Sequence, residues 1–310
     1  MPNPPASSQA VAVSQLLIAC PICAAPQTRM ISQWNNRDIN KCPACSVLFV
    51  VRPPSADDLV EMYGGHDLLH ERLDPNTKIE GEYPVWKMSE QNRLLDLLKK
   101  WGAASGTLLD VGCFSGMFLR NANLRGFEVI GVEPNTDAVS HIRSLFNFDV
   151  RHGNLRSGNF ESDRFSAVSF LDVIEHLPDP IAEMRESCRV LRPGGLLLMT
   201  TPNVKGLIQQ VIRAKRYVSG QPWCPIDDVP WHLWGFTPET LSVCASKAGL
   251  IVKETAWLEP SPFSSNLDAG SEPWKKLALR VTAQISKLLN RSDRFLLVAQ
   301  KPLAARTSPS

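Results

Sequence analysis

The chain has 310 residues, of which 44% are hydrophobic and 21% are charged, and these proportions are typical of globular proteins. Its 33 Lys and Arg residues nearly balance its 31 Asp and Glu residues, and the formal net charge of +2 gives no indication of nucleic-acid binding. No apolar run approaches the roughly 20 residues that a membrane-spanning helix needs. The length allows one large domain with a small appendage.

Both ends of the chain have the composition of tails. Residues 1–15 and 302–310 are small, polar and proline-bearing, which predicts disorder. Residues 17–20 (LIAC) have the form of a lipoprotein cleavage site, but no Lys or Arg precedes them, so the basic region of a secretory signal is missing. We therefore predict a cytoplasmic protein in a reducing compartment, where the eight cysteines do not form a disulfide framework.

Two short cysteine motifs predict a metal-binding module over residues 16–64. Cys20 and Cys23 are separated by two residues, as are Cys42 and Cys45, and the distance between the pairs is about that of a zinc ribbon. Four thiolates close a tetrahedral coordination sphere, so we predict a structural zinc site, with iron or a pair of redox dithiols as the alternatives. Few basic residues surround the motifs, which favours a role in fold stability or partner docking over nucleic-acid binding.

The next segment contains a helix start and a connection. Ser55 and the acidic residues after it resemble a capping box that opens a short helix reaching Tyr63. Residues 65–86 contain several charges and little periodicity, which predicts a linker or lid. The large domain is predicted over residues 87–301.

Within residues 87–301, short apolar runs alternate with amphipathic stretches. The pattern predicts a doubly wound, mostly parallel seven-stranded α/β sheet, with ligands bound at the carboxyl ends of its strands. The predicted helices cover residues 87–101, 117–124 and 136–146, one that starts at Pro180, and one between Thr237 and Gly249. The predicted strands are residues 107–111, 127–133, 148–152, 165–171, 196–200, 251–257 and 295–299.

Two further segments extend this pattern. Residues 203–234 are long for a simple connection, which predicts an insert that acts as a lid or contacts substrate. Its three tryptophans, Trp223, Trp231 and Trp234, have two interpretations: stacking on a sugar or ring, or ordinary burial against the sheet. Residues 273–290 predict an amphipathic helix that covers the sheet, pairs subunits or touches a membrane surface.

A glycine loop follows the first strand of this domain. Gly112 and Gly116 lie where backbone N–H groups can approach a ligand. A dinucleotide-binding motif is not present, because Phe114 and Met117 occupy two of its glycine positions. A ligand without a pyrophosphate tolerates a bulkier residue there. Glu133 ends the next strand about 20 residues on, where a carboxylate can accept hydrogen bonds from ribose hydroxyls.

Four segments in this order resemble the motifs of the class I S-adenosylmethionine-dependent methyltransferases, which have a Rossmann-like fold: LLDVGCFSGMFL, VIGVEP, FSAVSFLDVIEHLPDP and VLRPGGLLLMTTPN. The resemblance covers about residues 87–257 and implies S-adenosylmethionine as methyl donor. Phe114 departs from the family pattern, which often has glycine there. The implied donor-binding residues are Asp110, Gly112 and Gly116 for the methionine part, Glu133 for the ribose, Asn154 for the adenine amino group, and Leu171 and Asp172 beside the transferring methyl.

The N-terminal cysteine motifs and the segment PPSADDLVEMY make the chain similar to methyltransferases of bacterial sugar, surface-polysaccharide and natural-product pathways. This resemblance implies methylation of a small molecule or sugar, with oxygen as the expected acceptor atom. The alternatives are an RNA or protein methyltransferase that docks through the zinc module, and a non-catalytic zinc-bearing interaction protein. The near-neutral charge argues against a nucleic-acid partner.

Two histidines are candidate catalytic residues, because a hydroxyl nucleophile needs a proton acceptor. His176 directly follows the fourth strand of the domain, on the donor side. His232 precedes the helix that Thr237 caps, where this family often closes its substrate pocket. A structural hydrogen bond is the alternative interpretation of each.

Overall fold

The computed structural model describes residues 18–54, 58, 85–220, 222–226, 229–258, 281–282, 284–286, 288–289 and 291–303. Of the predicted helix that begins near Ser55, only Asp58 is described, and it is helical. The linker or lid up to residue 84, residues 1–15 and residues 304–310 lie outside these ranges. Of the predicted helix at 273–290, residues 281, 282, 284–286 and 288 are helical and the others lie outside the described residues or are not helical.

The described residues form two sheets, and their strands are numbered in chain order. The strands are β1 Arg29–Trp34, β2 Arg37–Lys41, β3 Leu48–Val50, β4 Gly106–Val111, β5 Phe127–Glu133, β6 Asp149–His152, β7 Phe165–Leu171, β8 Leu191–Pro202, β9 Trp234–Gly235, β10 Ile251–Leu258 and β11 Arg294–Gln300.

The helices alternate with strands along the sequence. Three of them begin at residues whose side chains cap the first turn, namely Asn135, Asp179 and Thr237. The helices are α1 Val85–Lys100, α2 Met117–Leu124, α3 Thr136–Phe146, α4 Pro180–Val190, α5 Leu207–Val218 and α6 Pro238–Lys247, with a short 3-10 turn at Ile174–His176.

The larger sheet has seven strands in the order β10-β11-β8-β7-β4-β5-β6, and β11 runs antiparallel to the other six. This arrangement confirms the predicted fold class. Side chains alternate between two cores along each strand, so that Leu108 packs with α1, α2 and α3 while Leu109 packs with α4 and α6. The helices therefore cover both faces of the sheet. The carboxyl ends of its parallel strands are left as the edge where a ligand can bind.

Two strands differ from the predicted pattern. Strand β8 starts at Leu191, five residues before the predicted start, because an irregularity in its pairing with β7 accommodates the Pro193-Gly194-Gly195 segment. Strand β9 was absent from the predicted elements, since it is two residues long and its partner is distant in sequence.

The smaller sheet has the order β1-β2-β3-β9, so it combines three strands of the N-terminal module with one strand of the large domain. Strand β9 belongs to the connection between β8 and α6, and it pairs with β3 of the N-terminal module, with Leu48 opposite Gly235 and Phe49 opposite Trp234. The module is thus joined to the large domain by main-chain hydrogen bonds as well as by apolar packing.

Gly235 permits this close approach. A Cβ atom built there would lie 2.5 Å from Val204 Cγ1 and 3.0 Å from Leu48 Cβ. We predict that Gly235→Ala lowers the free energy of unfolding of the zinc-loaded protein by about 1–3 kcal/mol, because added methyl groups in a packed core force side chains from their positions. Denaturant titration measures the effect.

Val204→Ala serves as the compensating change, since it removes the atom nearest the added methyl. The double variant should lose less stability than the sum of the two single variants. Additive losses would show that Gly235 is not held against Val204.

Candidate active site and four-cysteine cluster

The larger sheet reverses its strand order at β4. The chain proceeds from β4 to β5 and β6 on one side, and then returns to place β7 on the other side of β4. The loops after β4 and β7 therefore separate at their carboxyl ends and leave a crevice for a ligand. The predicted donor-binding residues other than Asn154, together with the candidate catalytic residue His176, lie at or just after the ends of β4, β5 and β7, and therefore at this edge.

The glycine loop after β4 requires small residues at its two glycines. Gly112 and Gly116 both have φ of +71°, which L-residues with a side chain rarely adopt. A Cβ at Gly112 would lie 2.7 Å from Val173 Cγ2, and one at Gly116 would lie 2.9 Å from Ile142 Cγ2. Phe114, between them, also has a positive φ of 42°. The loop is thus a tight turn that opens directly into helix α2.

Glu133 fixes this loop at the end of β5. The N–H of Phe114 donates to Glu133 Oε2 at 2.9 Å, and the N–H of Asn135 donates to Oε1 at 3.0 Å. Burial raises the pKa of Glu133, although the two amides act in the opposite direction. Each carboxylate oxygen retains capacity for another donor, so the side chain fits a ribose diol beside the loop.

Asp110 and Asn154 make contacts within the protein. Asp110 is buried at the end of β4, where its Oδ1 accepts a hydrogen bond of 2.6 Å from Ser169 Oγ. Burial raises its pKa to about 7, with a smaller contribution from the charge of Glu133. Asn154 lies exposed in the loop after β6, and its Oδ1 accepts from the N–H of Ser157 at 2.9 Å. Their contacts with the donor stay predictions.

Asp172 directly follows β7 and takes part in a network of charged side chains. Its Oδ2 accepts a 2.5 Å hydrogen bond from Arg294, whose side chain is 3% exposed, and Arg294 also binds Glu90 at 2.7 Å. Lys87 lies 3.7 Å from the same carboxylate. Burial acts to raise the pKa of Asp172, but the Arg294 and Lys87 charges outweigh it and lower the pKa. Asp172 is therefore ionised and fixed beside Leu171 at the crevice.

The two candidate catalytic histidines lie together. The rings of His176 and His232 are 4.6 Å apart between centroids and meet edge to face. The His176 Nδ1 atom lies 2.9 Å from the carbonyl oxygen of Trp231, so this nitrogen carries the proton and Nε2 is the basic one. One nitrogen of each histidine and one oxygen of Glu175 all lie within 4.8 Å of one another.

Glu175 is a site residue that the sequence interpretation did not select. Its side chain is 1% exposed, and neither of its oxygens makes a hydrogen bond of normal geometry with a described residue. Burial, together with the nearby charge of Asp172, raises its pKa to about 8. The acidic residue before His176 was the available signal. Arg294 and Glu90 were also missed. No local sequence signal links them, because the two residues are 204 positions apart.

The four cysteines of the N-terminal module form one cluster. Their sulfur atoms all lie within 4.8 Å of one another, with Cys20 and Cys45 3.7 Å apart and Cys23 and Cys42 3.5 Å apart. None of the four forms a disulfide. A set of four thiol ligands at this spacing fits a tetrahedral zinc ion.

The two cysteine motifs have the same backbone conformation. The N–H of Cys23 points to Cys20 Sγ at 3.4 Å, and the N–H of Cys45 points to Cys42 Sγ at 3.5 Å. The residue after each second cysteine has a positive φ, 63° at Ala24 and 65° at Ser46. N–H groups directed at sulfur stabilise thiolates, so both turns are built to hold a cation.

Comparison with known proteins assigns the large domain. Residues 86–255, just over half of the chain, match the family described as Methyltransferase domain. The chain belongs to the S-adenosylmethionine-dependent methyltransferases. The glycine loop and Glu133 of this methyltransferase lie inside the matched region.

Two relatives are ubiquinone biosynthesis O-methyltransferases. The protein of Methylobacterium sp. strain 4-46 is 28% identical over 173 residues, which cover 54% of this methyltransferase and 68% of the relative. The protein of Aeromonas salmonicida strain A449 is 25% identical over 201 residues, which cover 62% and 83% of the two chains. Both matches therefore extend over more than two thirds of the relative's own length.

Among solved structures, the cyclase SpnF is similar with a TM-score of 0.54 and 20% identity, covering 82% of this methyltransferase and 99% of SpnF. That likeness concerns the fold alone. Within the part of the chain that the structure describes, no helix combines the length and apolar character needed to cross a membrane.

We predict that Glu133→Gln weakens S-adenosylmethionine binding about 10- to 100-fold, because a carboxamide directs an N–H group at one of the two amides that Glu133 now accepts and binds the ribose less well. Titration calorimetry measures the affinity. Glu128→Gln, on the exposed side of the same strand, is the matched control. Equal affinities for the two variants would contradict the role of Glu133.

The raised pKa of Glu175 predicts a pH-dependent stability. Between the ordinary pKa of 4.5 and about 8, the unfolded chain loses a proton that folded Glu175 keeps, so the free energy of unfolding decreases as pH rises through this window. Glu175→Gln should abolish that decrease, which is at most on the order of 1.4 kcal/mol per pH unit. Glu161→Gln, on the exposed surface, controls for loss of one charge. Parallel stability profiles for the wild type and Glu175→Gln would refute a buried, neutral Glu175.

Proposed function

We propose that this methyltransferase transfers a methyl group from S-adenosylmethionine to a hydroxyl oxygen of a small molecule or sugar. The observation that carries the proposal is the pair formed by His176 and His232 at the end of β7, on the same sheet edge as the glycine loop. The O-methyltransferase names of the two relatives support oxygen as the acceptor atom. Sugar, polysaccharide and natural-product pathways are the proposed context.

S-adenosylmethionine, when bound, supplies an electrophilic methyl group and a neutral thioether as leaving group. The work left to the protein is to align the acceptor oxygen with the methyl and to exclude water. We assign Gly112, Gly116 and Glu133 to binding the donor. Asp110 supports the first strand end from within the core, Asn154 binds near the adenine, and Leu171 with Asp172 border the methyl.

The histidine pair receives the hydroxyl proton. As the acceptor oxygen forms its bond to the methyl carbon, the carbon–sulfur bond breaks and the proton moves to a basic ring nitrogen. His176 is oriented for this by the Trp231 carbonyl, which leaves Nε2 as the acceptor nitrogen. His232 contacts the same ring and borders a small pocket with Asn203, Ile226 and Trp234. General-base groups of this kind typically contribute 100- to 10,000-fold, to order of magnitude.

The N-terminal module has a structural part in this proposal. Four cysteine ligands leave a tetrahedral zinc without an open position, so the module does not act on substrate through its metal. Its docking through β9 instead places it beside His232.

The acceptor is identified by incubating the zinc-loaded protein with methyl-labelled S-adenosylmethionine and fractionated bacterial extract, and then by characterising the labelled product. The proposal expects a labelled methyl ether of a small molecule or saccharide. Label confined to protein or RNA would overturn it.

With that acceptor, His232→Gln and His176→Gln should each lower the rate of methyl transfer about 100-fold or more, while S-adenosylmethionine affinity stays within about twofold of wild type. His141→Gln, on α3, is the matched histidine control. The rate should recover partly at high pH in the catalytic variants, because the acceptor hydroxyl then ionises without a base. Wild-type rates in both catalytic variants would exclude the histidine pair as proton acceptor.

A further inference from the structure

We infer that Trp234 is a positioning residue that couples the four-cysteine module to the active-site turn Ile174–His176. The inference deepens the proposed function. It rests on that function only for the assignment of His176 and His232 as the residues that take the proton from the acceptor hydroxyl. The coupling itself is a property of the fold, so it can be measured without knowing the acceptor.

On the module side, Trp234 is held by both its main chain and its ring. It lies opposite Phe49 in the β3–β9 pair, and the two rings are 6.0 Å apart between centroids. The N–H of Val50 donates to the carbonyl of Leu233 at 2.9 Å. Trp234 is 7% exposed, so its ring is packed between the module and Phe236 of the large domain.

On the active-site side, the same short segment holds the turn. The indole Nε1–H of Trp234 donates to the carbonyl of Leu177 at 2.7 Å, and the N–H of Leu233 donates to the carbonyl of Glu175 at 2.8 Å. The carbonyl of Trp231 accepts from His176 Nδ1. Residues 175, 176 and 177 are therefore each hydrogen-bonded to the segment of residues 231–234.

The direction of these bonds makes the segment a bridge. Leu233 uses its carbonyl for the module and its N–H for the active-site turn, so a displacement of β3 moves the backbone that holds Glu175. Trp234 adds a side-chain bond in the same direction.

The metal cluster determines the position of β3. The second cysteine turn leads directly into this strand, and the N–H of Cys42 donates to the carbonyl of Val47 at 3.0 Å. The carbonyl of Cys45 also accepts from Thr240 Oγ1 of α6 at 3.1 Å. Four thiolates this close together repel one another without a cation, so removal of the metal should loosen β3 and, through Trp234, the turn that carries His176.

The test uses the zinc-loaded full chain with Trp234→Phe, which keeps an aromatic ring and removes the indole N–H. Trp101→Phe is the matched control, because Trp101 also donates its Nε1–H, to Glu254 at 2.8 Å, far from the module in the fold. Hydrogen exchange of residues 174–177 and 231–235 is measured by mass spectrometry, and histidine ring resonances are followed by NMR. Titration calorimetry measures S-adenosylmethionine affinity.

We expect Trp234→Phe to accelerate exchange in the two segments about 3- to 10-fold, as loss of one buried hydrogen bond implies. The His176 and His232 resonances should shift, and S-adenosylmethionine affinity should stay unchanged, because Glu133 lies at another strand end. Trp101→Phe should do none of this. Phe49→Leu perturbs the module side without touching the turn, and it should reproduce the exchange and NMR effects.

Chelation of the zinc should give the same local signature in the wild type and little further change in Trp234→Phe. Two results would overturn the inference: turn exchange and histidine resonances that do not respond to Trp234→Phe or Phe49→Leu, or chelation effects that stay confined to the module. Failure of the histidine assays described above would instead concern the proposed function and leave this coupling intact.

Discussion

The donor side of the site depends on one carboxylate that joins two strand ends. Glu133 closes β5 and accepts hydrogen bonds from the glycine loop at Phe114 and from the start of α3 at Asn135. The N–H groups of Gly112 and Cys113 also donate to the carbonyl of Val132 in β5, at 2.8 and 3.3 Å, so main-chain and side-chain acceptors together hold the turn and its left-handed backbone against this strand. Burial of a carboxylate costs free energy unless it accepts hydrogen bonds, and the amides of Phe114 and Asn135 supply these bonds to Glu133. The remaining lone pairs of Glu133 can accept hydrogen bonds from a ligand in the crevice.

The acceptor side depends on a different set of contacts. The segment that contains β9 is short, yet it binds the N-terminal module on one side and the Glu175–His176 turn on the other. Under our proposal, the four-cysteine cluster supports this turn through the β9 segment, and a zinc ion held by all four cysteines would offer no coordination position to substrate. In our proposal, separate parts of the chain therefore support the two halves of the site. The proposed donor half rests on the central sheet, and the proposed acceptor half rests partly on the module.

Local signals made the donor half accessible from sequence. The glycine spacing, the acidic end of the second strand and the alternation of apolar runs depend on residues close in the chain. They predicted the sheet correctly and predicted a donor site at the carboxyl ends of its strands. The two cysteine pairs were equally informative, because metal-ligand spacing is set within each turn. Of the two interpretations of the tryptophans, burial describes Trp234, since its ring packs between Phe49 and Phe236.

Long-range pairing was not accessible in this way. Strand β9 has two residues and no periodicity of its own, and its partner β3 lies almost 200 positions earlier in the chain. The binding of Asp172 by Arg294 likewise joins β7 to the last strand of the sheet. Glu175 was in view beside His176, but its raised pKa follows from its burial and from the nearby charge of Asp172, which only the packed structure gives.

One measurement tests most directly whether the donor and acceptor halves meet as described. S-adenosylmethionine labelled with ¹³C in its transferable methyl group can be bound to the zinc-loaded protein, and isotope-filtered nuclear Overhauser contacts of that methyl can be recorded. The account predicts contacts with ring protons of His176 or His232. Contacts only with residues away from the carboxyl ends of β4 and β7 would contradict it.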